Sequence, residues 1–473
     1  ILTIDGVGEW ATASIGQGSG NDITLLREMH FPDSVGLLYS AFTYYLGFKV
    51  NSGEYKLMGL APYGNPQAEE TERFASLIRE QVVTIYEDGS IRLNRSLFDF
   101  ETGLRMVHDR KFKRLFGVAR RGVDDPIEQV HCNLALAIQQ ITEEIVLKMA
   151  QTARALTGAS ALCMAGGVAL NCVANGKLQR AGIFEHIYVQ PAAGDAGGAL
   201  GAALAVSRMY FGEDPAPAEV GYDRMKGAYL GPSYSTKEIH RAMLRLKAVA
   251  EPRQSLDGLL DRVAALLDEG AVVGWFQGRM EYGPRALGNR SILGDPRDKE
   301  MQKKLNVKIK YRESFRPFAP SVRASDATTY FDLGTDRSPY MLLVADVKSA
   351  YRKALPADFF DRDLMDRLYV ERSELPAITH LDFSARVQTV HEETNPRFSA
   401  LLDAFAARTG VGVLINTSFN VRGEPIVCTP EDAYRCFMAT EMDVLVIDDW
   451  LFLKTEQPGA EDRSAWQQAF AAD

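Results

Sequence analysis

The chain lacks most of the features by which a sequence announces a disulfide-bonded, zinc-binding or membrane-spanning protein. Its five cysteines (Cys132, Cys163, Cys172, Cys428 and Cys436) are odd in number and include no C-x-x-C pair. That argues against a disulfide framework and a cysteine-rich zinc site. Its seven histidines are scattered, and no two stand four apart, the spacing that puts both rings on one helix face. No uncharged apolar run approaches the roughly 20 residues that span a bilayer. The opening residues, ILTIDGVGEW, show neither the basic start nor the apolar stretch of a secretory signal. A reducing cytoplasm is the expected compartment. Positive charge is also short: the net charge of −9 speaks against a general nucleic-acid binder, whose backbone affinity needs a basic surface.

What is present reads as a globular α/β chain. Its 473 residues suggest two domains, and 46% hydrophobic with 24% charged residues are ordinary for buried cores. Asp125, Pro126 and Glu128 read as the start of a helix that Leu134, Ile138, Ile141, Ile145 and Met149 continue with one apolar face. Strands are expected at 161–164, 186–190, 272–276, 411–415 and 444–447, and Thr429, Pro430 and Asp432 predict a capped helix. Small residues from Gly197 to Ala203 predict a helix able to lie close to a sheet or ligand. The Pro- and Gly-rich stretch 212–233 is the candidate linker, with a boundary near residue 228.

Three glycine loops follow strands in the first half: DGVGE (5–9), AGGVALN (165–171) and GDAGGA (194–199). Bare backbone N–H groups in such loops can approach phosphate closely, which suits a nucleotide. Asp5 and Asp195 could hold a cation bridging to those phosphates, or could be simple turn residues. In the second half, eleven Lys or Arg between Arg285 and Arg323 face four acids, an excess of seven that leaves −16 on the rest. Phe315, Pro317, Phe318 and Pro320 stand among these charges, so the arginines are expected to line a rigid concave surface that takes an anion. NTSFN (416–420) offers hydroxyl and amide groups to complete a phosphate cradle.

These loops, with GEYKLMGLAPYG (53–64), RALGNRSIL, RESFRPFAP and INTSFN, resemble the O-carbamoyltransferases of nodulation-factor and antibiotic biosynthesis over almost the whole chain. The resemblance implies an actin-like ATPase (threonylcarbamoyl-transferase-like) domain over 1–227. An α+β threonylcarbamoyl-adenylate-synthase-like domain follows over 228–473. ATP and carbamoyl phosphate would form a carbamoyl-adenylate in the second domain. The first domain would pass the carbamoyl group to a hydroxyl of a small acceptor of sugar, aminoglycoside, polyketide or Nod-factor type. By the same resemblance, Lys310 and Arg312 with Ser418 and Asn420 match the family's K-x-R and S-x-N signature, and Arg285 and Arg316 add anion contacts. Gly6, Gly8, Glu9, Lys56, Gly166, Gly167, Asn171, Gly194 and Gly197 would bind the nucleotide. Asp5 and Asp195 match two ligands of an iron-type divalent metal, with magnesium the other metal expected beside ATP. The family's HxxxH ligands have no counterpart here, and Ile1 stands inside an apparent strand, so N-terminal sequence is expected to be missing. Weak metal binding follows from that expectation. No nucleic-acid or membrane partner is expected, and the oligomeric state stays open, a homodimer being one option. Two rival readings are a tRNA threonylcarbamoylation enzyme, disfavoured by the acidic charge outside one pocket, and a non-catalytic nucleotide-binding module.

Overall fold

The computed structural model describes residues 1–214, 223–252, 254–310 and 315–460. The chain divides into two compact units, Ile1–Val220 with Pro356–Leu368, and Gly221–Leu355 with Tyr369–Asp473. The division at 220/221 falls inside the stretch read as a linker, although 215–222 lie outside the described residues. The excursion of Pro356–Leu368 into the first unit had no sequence signal. It carries Arg367, only 2% exposed, whose guanidinium donates to Gln129 Oε1.

The first unit is built on strands β1 (Leu2–Ile4), β2 (Ala11–Ser19) and β3 (Asp22–His30), an antiparallel meander. Helix α1 (Val35–Tyr45) follows, capped by Ser34, whose Oγ accepts the Leu37 N–H. The long helix α2 spans Gln129–Thr157, and its five expected face residues are all buried. Its start corrects the sequence expectation. Glu128, not Asp125, is the N-cap, in a capping box with His131. Asp125 is held elsewhere, its carboxylate accepting the Gly122 N–H and its carbonyl the Arg121 guanidinium, so residues 122–128 stay in a loop.

Strand β4 (Ala161–Ala165), helix α3 (Cys172–Arg180), strand β5 (His186–Val189) and helix α4 (Ala196–Ala205) complete this unit's main elements. The sheet order is β3-β2-β1-β4-β5, with β4 parallel to both β1 and β5. Parallel pairing puts the loops after β1, β4 and β5 on one sheet edge, the carboxyl end where α/β sheets bind ligands. Helix α4 forms where the small residues predicted it, and none of its residues is buried; Leu204 near its end and Val206, Met209, Tyr210 and Phe211 just beyond it are exposed.

In the second unit the helix Thr236–Arg245 comes first, then helix α5 (Leu256–Asp268), β6 (Val273–Phe276), β7 (Arg290–Gly294), β8 (Ala319–Arg323), β9 (Phe331–Asp332), β10 (Leu343–Val347) and β11 (Ser384–Val390). Helix α6 (Pro396–Thr409), β12 (Val413–Ser418), helix α7 (Pro430–Ala439), β13 (Val444–Ile447) and β14 (Trp450–Leu453) follow. Thr429 and Asp432 form the expected capping box of α7. The sheet is nine-stranded and mixed, in the order β9-β10-β11-β8-β12-β7-β6-β13-β14. Its central strands are apolar on both faces because cores lie on either side, one with Phe276, Ile292, Val322 and Phe437, the other with Trp275, Leu293, Phe405 and Leu414. Among the described residues no helix is long and apolar enough to cross a membrane.

Candidate functional site

In the first unit the three glycine loops meet. Gly166 has φ +94°, and a Cβ there would stand 2.2 Å from the Ile4 carbonyl oxygen, so the second loop lies directly on the end of β1. Its N–H donates to Ala193 O at 2.8 Å, which ties it to the third loop. Helix α1 closes on the first loop by its N-terminus. Ser34 Oγ donates to Gly6 O at 2.6 Å, and a Cβ on Gly36 would meet Asp5 O at 2.6 Å. Among the described residues the N–H groups of Gly167 and Val168, opening the turn Gly167–Leu170, have no acceptor. The edge therefore presents backbone donors in a fixed cradle, which suits an anionic group.

Individual residues divide around that cradle. Gly6, Gly8, Gly166, Gly167, Gly194 and Gly197 lie on the three loops, and Glu9, the last residue of the first, is exposed. Lys56, half-buried on the helix Glu54–Leu60, has its Nζ 5.9 Å from the Phe48 ring centre. Asn171 caps α3 with its side chain and is 8% exposed, so its amide turns into the unit rather than toward the cradle. Asp5 Oδ1 accepts the Gly6 N–H, and Asp195 begins α4 without a side-chain cap. Among the described residues no three His, Cys, Asp or Glu side chains are grouped to hold a metal ion. The donor set thus does not fit an iron-type site, and no step below runs through one.

In the second unit, register collects three motifs. Ser418 of β12 pairs with Ser291 of β7, and Asn416 pairs with Leu293 on one side and Ala319 of β8 on the other. The sequences RALGNRSIL, INTSFN and FRPFAP thereby run side by side. Lys310, 3% exposed, brings its Nζ to Ser418 Oγ at 3.1 Å, Asn420 O at 3.0 Å and Asn420 Oδ1 at 2.7 Å, and also to the Ser418 carbonyl. Ser418 Oγ in turn donates to Asn420 Oδ1 at 2.8 Å. The lysine of one motif and the serine and asparagine of another thus meet across more than 100 residues of sequence. Arg312 lies outside the described residues. Arg285 and Arg316 are half-buried, and the Arg316 carbonyl accepts the Asn306 amide at 3.0 Å.

The arginine loop is anchored by a residue that sequence reasoning missed. Glu281, 6% exposed, accepts the N–H groups of Leu287 (2.7 Å), Asn289 (2.9 Å) and Arg290 (3.2 Å) on one carboxylate oxygen. Arg290 is fully buried, stacked 3.5 Å over Phe276 and bonded to the carbonyls of Gln277, Gly278, Asn289 and Pro232. Burial pushes its guanidinium down to about 10, against the opposing pull of Glu281. Arg290 is therefore a structural post, and Arg285 is the arginine of RALGNRS that stands nearer solvent. A second missed group is the buried set Ser321, Gln388 and Asn416 on β8, β11 and β12. Gln388 donates to Leu287 O at 2.7 Å, joining the sheet to the same loop. Neither group has a local sequence signal.

A glycine-loop cradle on one unit and a lysine-centred polar cluster on the other are the equipment of a group-transfer enzyme. The chain belongs to the carbamoyltransferase family: residues 1–204 match the carbamoyltransferase N-terminus and 264–454 the carbamoyltransferase C-terminus. It is 54% identical to an uncharacterized protein of Synechocystis sp. over all of this chain and 75% of that protein. It is 39% identical to nodulation protein NolNO of Sinorhizobium fredii over 96% of this chain and 60% of that one. It is also 34% identical to 3'-hydroxymethylcephem-O-carbamoyltransferase of Amycolatopsis lactamdurans over 68% of this chain and 55% of the enzyme. The chain therefore spans between about half and three-quarters of these relatives.

Proposed function

We propose that the second unit activates carbamoyl phosphate with ATP as a carbamoyl-adenylate, and that the first unit passes the carbamoyl group to a hydroxyl of a small acceptor. The observation that carries this reading is the convergence of Lys310, Ser418 and Asn420. The cluster gathers a cation, a hydroxyl and an amide whose donors are bonded to one another and to the Glu424 carbonyl, partners that phosphate oxygens would replace on binding. A carbamate is a poor acyl donor until its oxygen carries a good leaving group, and fixed cationic donors lower the cost of charge developing on the phosphates. Arg285 and Arg316, with Arg312, would supply the remaining positive charge. The carbamoyltransferase family and the cephem relative's name support a hydroxylated acceptor. The first unit's 3-2-1-4-5 strand order and loop cradle support an actin-like nucleotide fold. A cytoplasmic location agrees with the cysteine pattern.

The test is pyrophosphate release from ATP by this chain, with and without carbamoyl phosphate. Release should depend on carbamoyl phosphate, and Ser418→Ala should slow it by about tenfold or more, the size of one lost hydrogen bond to a charged group. Release that ignores carbamoyl phosphate, or is untouched by Ser418→Ala, would overturn the reading.

A further inference from the structure

The last residue of the AGGVALN loop, Asn171, joins a buried polar chain whose other members no motif accounts for. Gln139, on α2 and 2% exposed, meets Asn171 amide to amide. Its Nε2 donates to Asn171 Oδ1 at 3.1 Å, and its Oε1 accepts from Asn171 Nδ2 at 3.1 Å. Three of the four amide atoms also have a second partner. Gln139 Oε1 also accepts the Tyr39 hydroxyl of α1 at 2.8 Å, and Gln139 Nε2 also donates to Glu143 Oε1 at 2.9 Å. Asn171 Oδ1 also accepts the Ala174 N–H at 3.1 Å, the cap of α3. Glu143, 4% exposed, is closed by the ammonium of Lys177 on α3. One residue type at each point satisfies this pattern. Gln139 must donate twice and accept twice, which an amide can do and a carboxylate cannot.

We infer that Gln139, oriented by Tyr39 and Glu143, is a positioning residue that holds the 166–171 loop in its binding shape through the reciprocal amide pair with Asn171. The loop is then gripped at both ends. Gly166 rests on Ile4, and Asn171 is fixed to the long helix, while Asn175 Nδ2 supports the middle by donating to Ala169 O at 2.7 Å. The Gly167 and Val168 N–H groups lie between these anchors. Without the pair, Asn171 could still cap α3, but the turn before it would no longer have a single orientation. Fixed backbone donors bind an anion without first losing conformational freedom, so the network acts through preorganisation. The inference rests on reading this loop as part of a nucleotide site.

Gln139→Glu separates positioning from mere packing. When protonated, the carboxyl of this variant keeps the amide's shape and can both donate to Asn171 Oδ1 and accept from Nδ2. When ionised it cannot donate, and it repels Glu143. The titratable groups around the pair are Tyr39, Glu54, Glu143, Cys172 and Lys177. Tyr39 stays protonated, because burial first and then Glu143 push its hydroxyl well up. Hydrogen exchange of residues 166–171, corrected for intrinsic rate, should quicken roughly ten- to thirtyfold in Gln139→Glu at pH 8, as expected for two lost hydrogen bonds. Burial and the neighbouring Glu143 carboxylate raise this new carboxyl above the ordinary value of about 4.3, so exchange should return toward the wild-type value near pH 5, while exchange in the middle of α2 stays unchanged. Asn171→Asp, which keeps the cap but cannot donate to Gln139, should loosen the same loop. ADP affinity measured alongside should fall with loop protection. Wild-type protection in Gln139→Glu at both pH values, or equal loosening at both, would overturn the inference. If the wild-type chain bound no ADP while the pH-dependent protection held, the nucleotide reading would fail and the positioning role would stand.

Discussion

Replacing Glu281 should weaken the second unit by an amount that depends on charge as well as on shape. One carboxylate oxygen accepts three N–H groups from the loop that carries Arg285 and Arg290. A hydrogen bond to a charged group contributes about 1.5–3 kcal/mol and a neutral one about 0.5–1.5 kcal/mol, so neutralising the acceptor forfeits roughly 3 kcal/mol across the three. Relief from burying a carboxylate offsets part of that, leaving Glu281→Gln destabilised by about 1–2 kcal/mol. Glu281→Ala strands the N–H groups in a dry interior and should cost about 3 kcal/mol or more. Arg290 also loses the neighbour that opposes its downward shift, so its guanidinium should fall below about 10 yet stay protonated at neutral pH. Urea unfolding followed by the fluorescence of Trp275, fully buried in this unit, reads the effect. A Gln variant as stable as wild type beside a costly Ala variant would refute the assignment to charge, and both variants within about 0.5 kcal/mol of wild type would refute the anchoring role altogether.

Gly166→Ala should unfold or distort the first unit, since the new methyl would sit 2.2 Å from Ile4 O at a φ of +94°. Circular dichroism melting should show a loss of about 3 kcal/mol or more, and a change under about 1 kcal/mol would mean the loop relaxes freely. Burial pushes the His380 imidazole down to about 4, against Asp382, which acts the other way. Its folded value lies below the unfolded one of about 6.5. Below that pH the unfolded chain takes up a proton that the folded chain refuses, so His380's contribution is present above about pH 6.5 and is lost as pH falls toward 4. Burial lowers His131 and His391 in the same direction. Denaturant midpoints should decline across this window by up to about 1.4 kcal/mol per pH unit for each such proton, and less so in His380→Asn. A flat profile in the wild type would refute it.

What could be read ahead of the structure follows the range over which each feature is decided. The cap of α7 lies within Thr429–Asp432, and the five predicted face positions of α2, all buried, repeat at helical spacing, so both are local facts that a sequence window contains. The start of α2 shows where locality fails. Asp125 and Pro126 have the right composition, yet the carbonyl of Asp125 is taken by the Arg121 guanidinium and the capping role passes to Glu128. Motif residues stood out because their types can contact phosphate and because their spacing resembles the family's K-x-R and S-x-N signature. Their meeting at Lys310 Nζ also depends on strand order, which puts β12 beside β7 and β8. Glu281, Gln139 and Gln388 left no local trace, for each is defined by partners on other elements. A buried acid reads in sequence like any surface acid until the three N–H groups it accepts are seen. The residues proposed to bear the chemistry are thus legible by type, and the residues that hold them in place are legible only by contact. Loss of a holding residue should therefore impair binding through loop order, leaving every motif intact in the sequence.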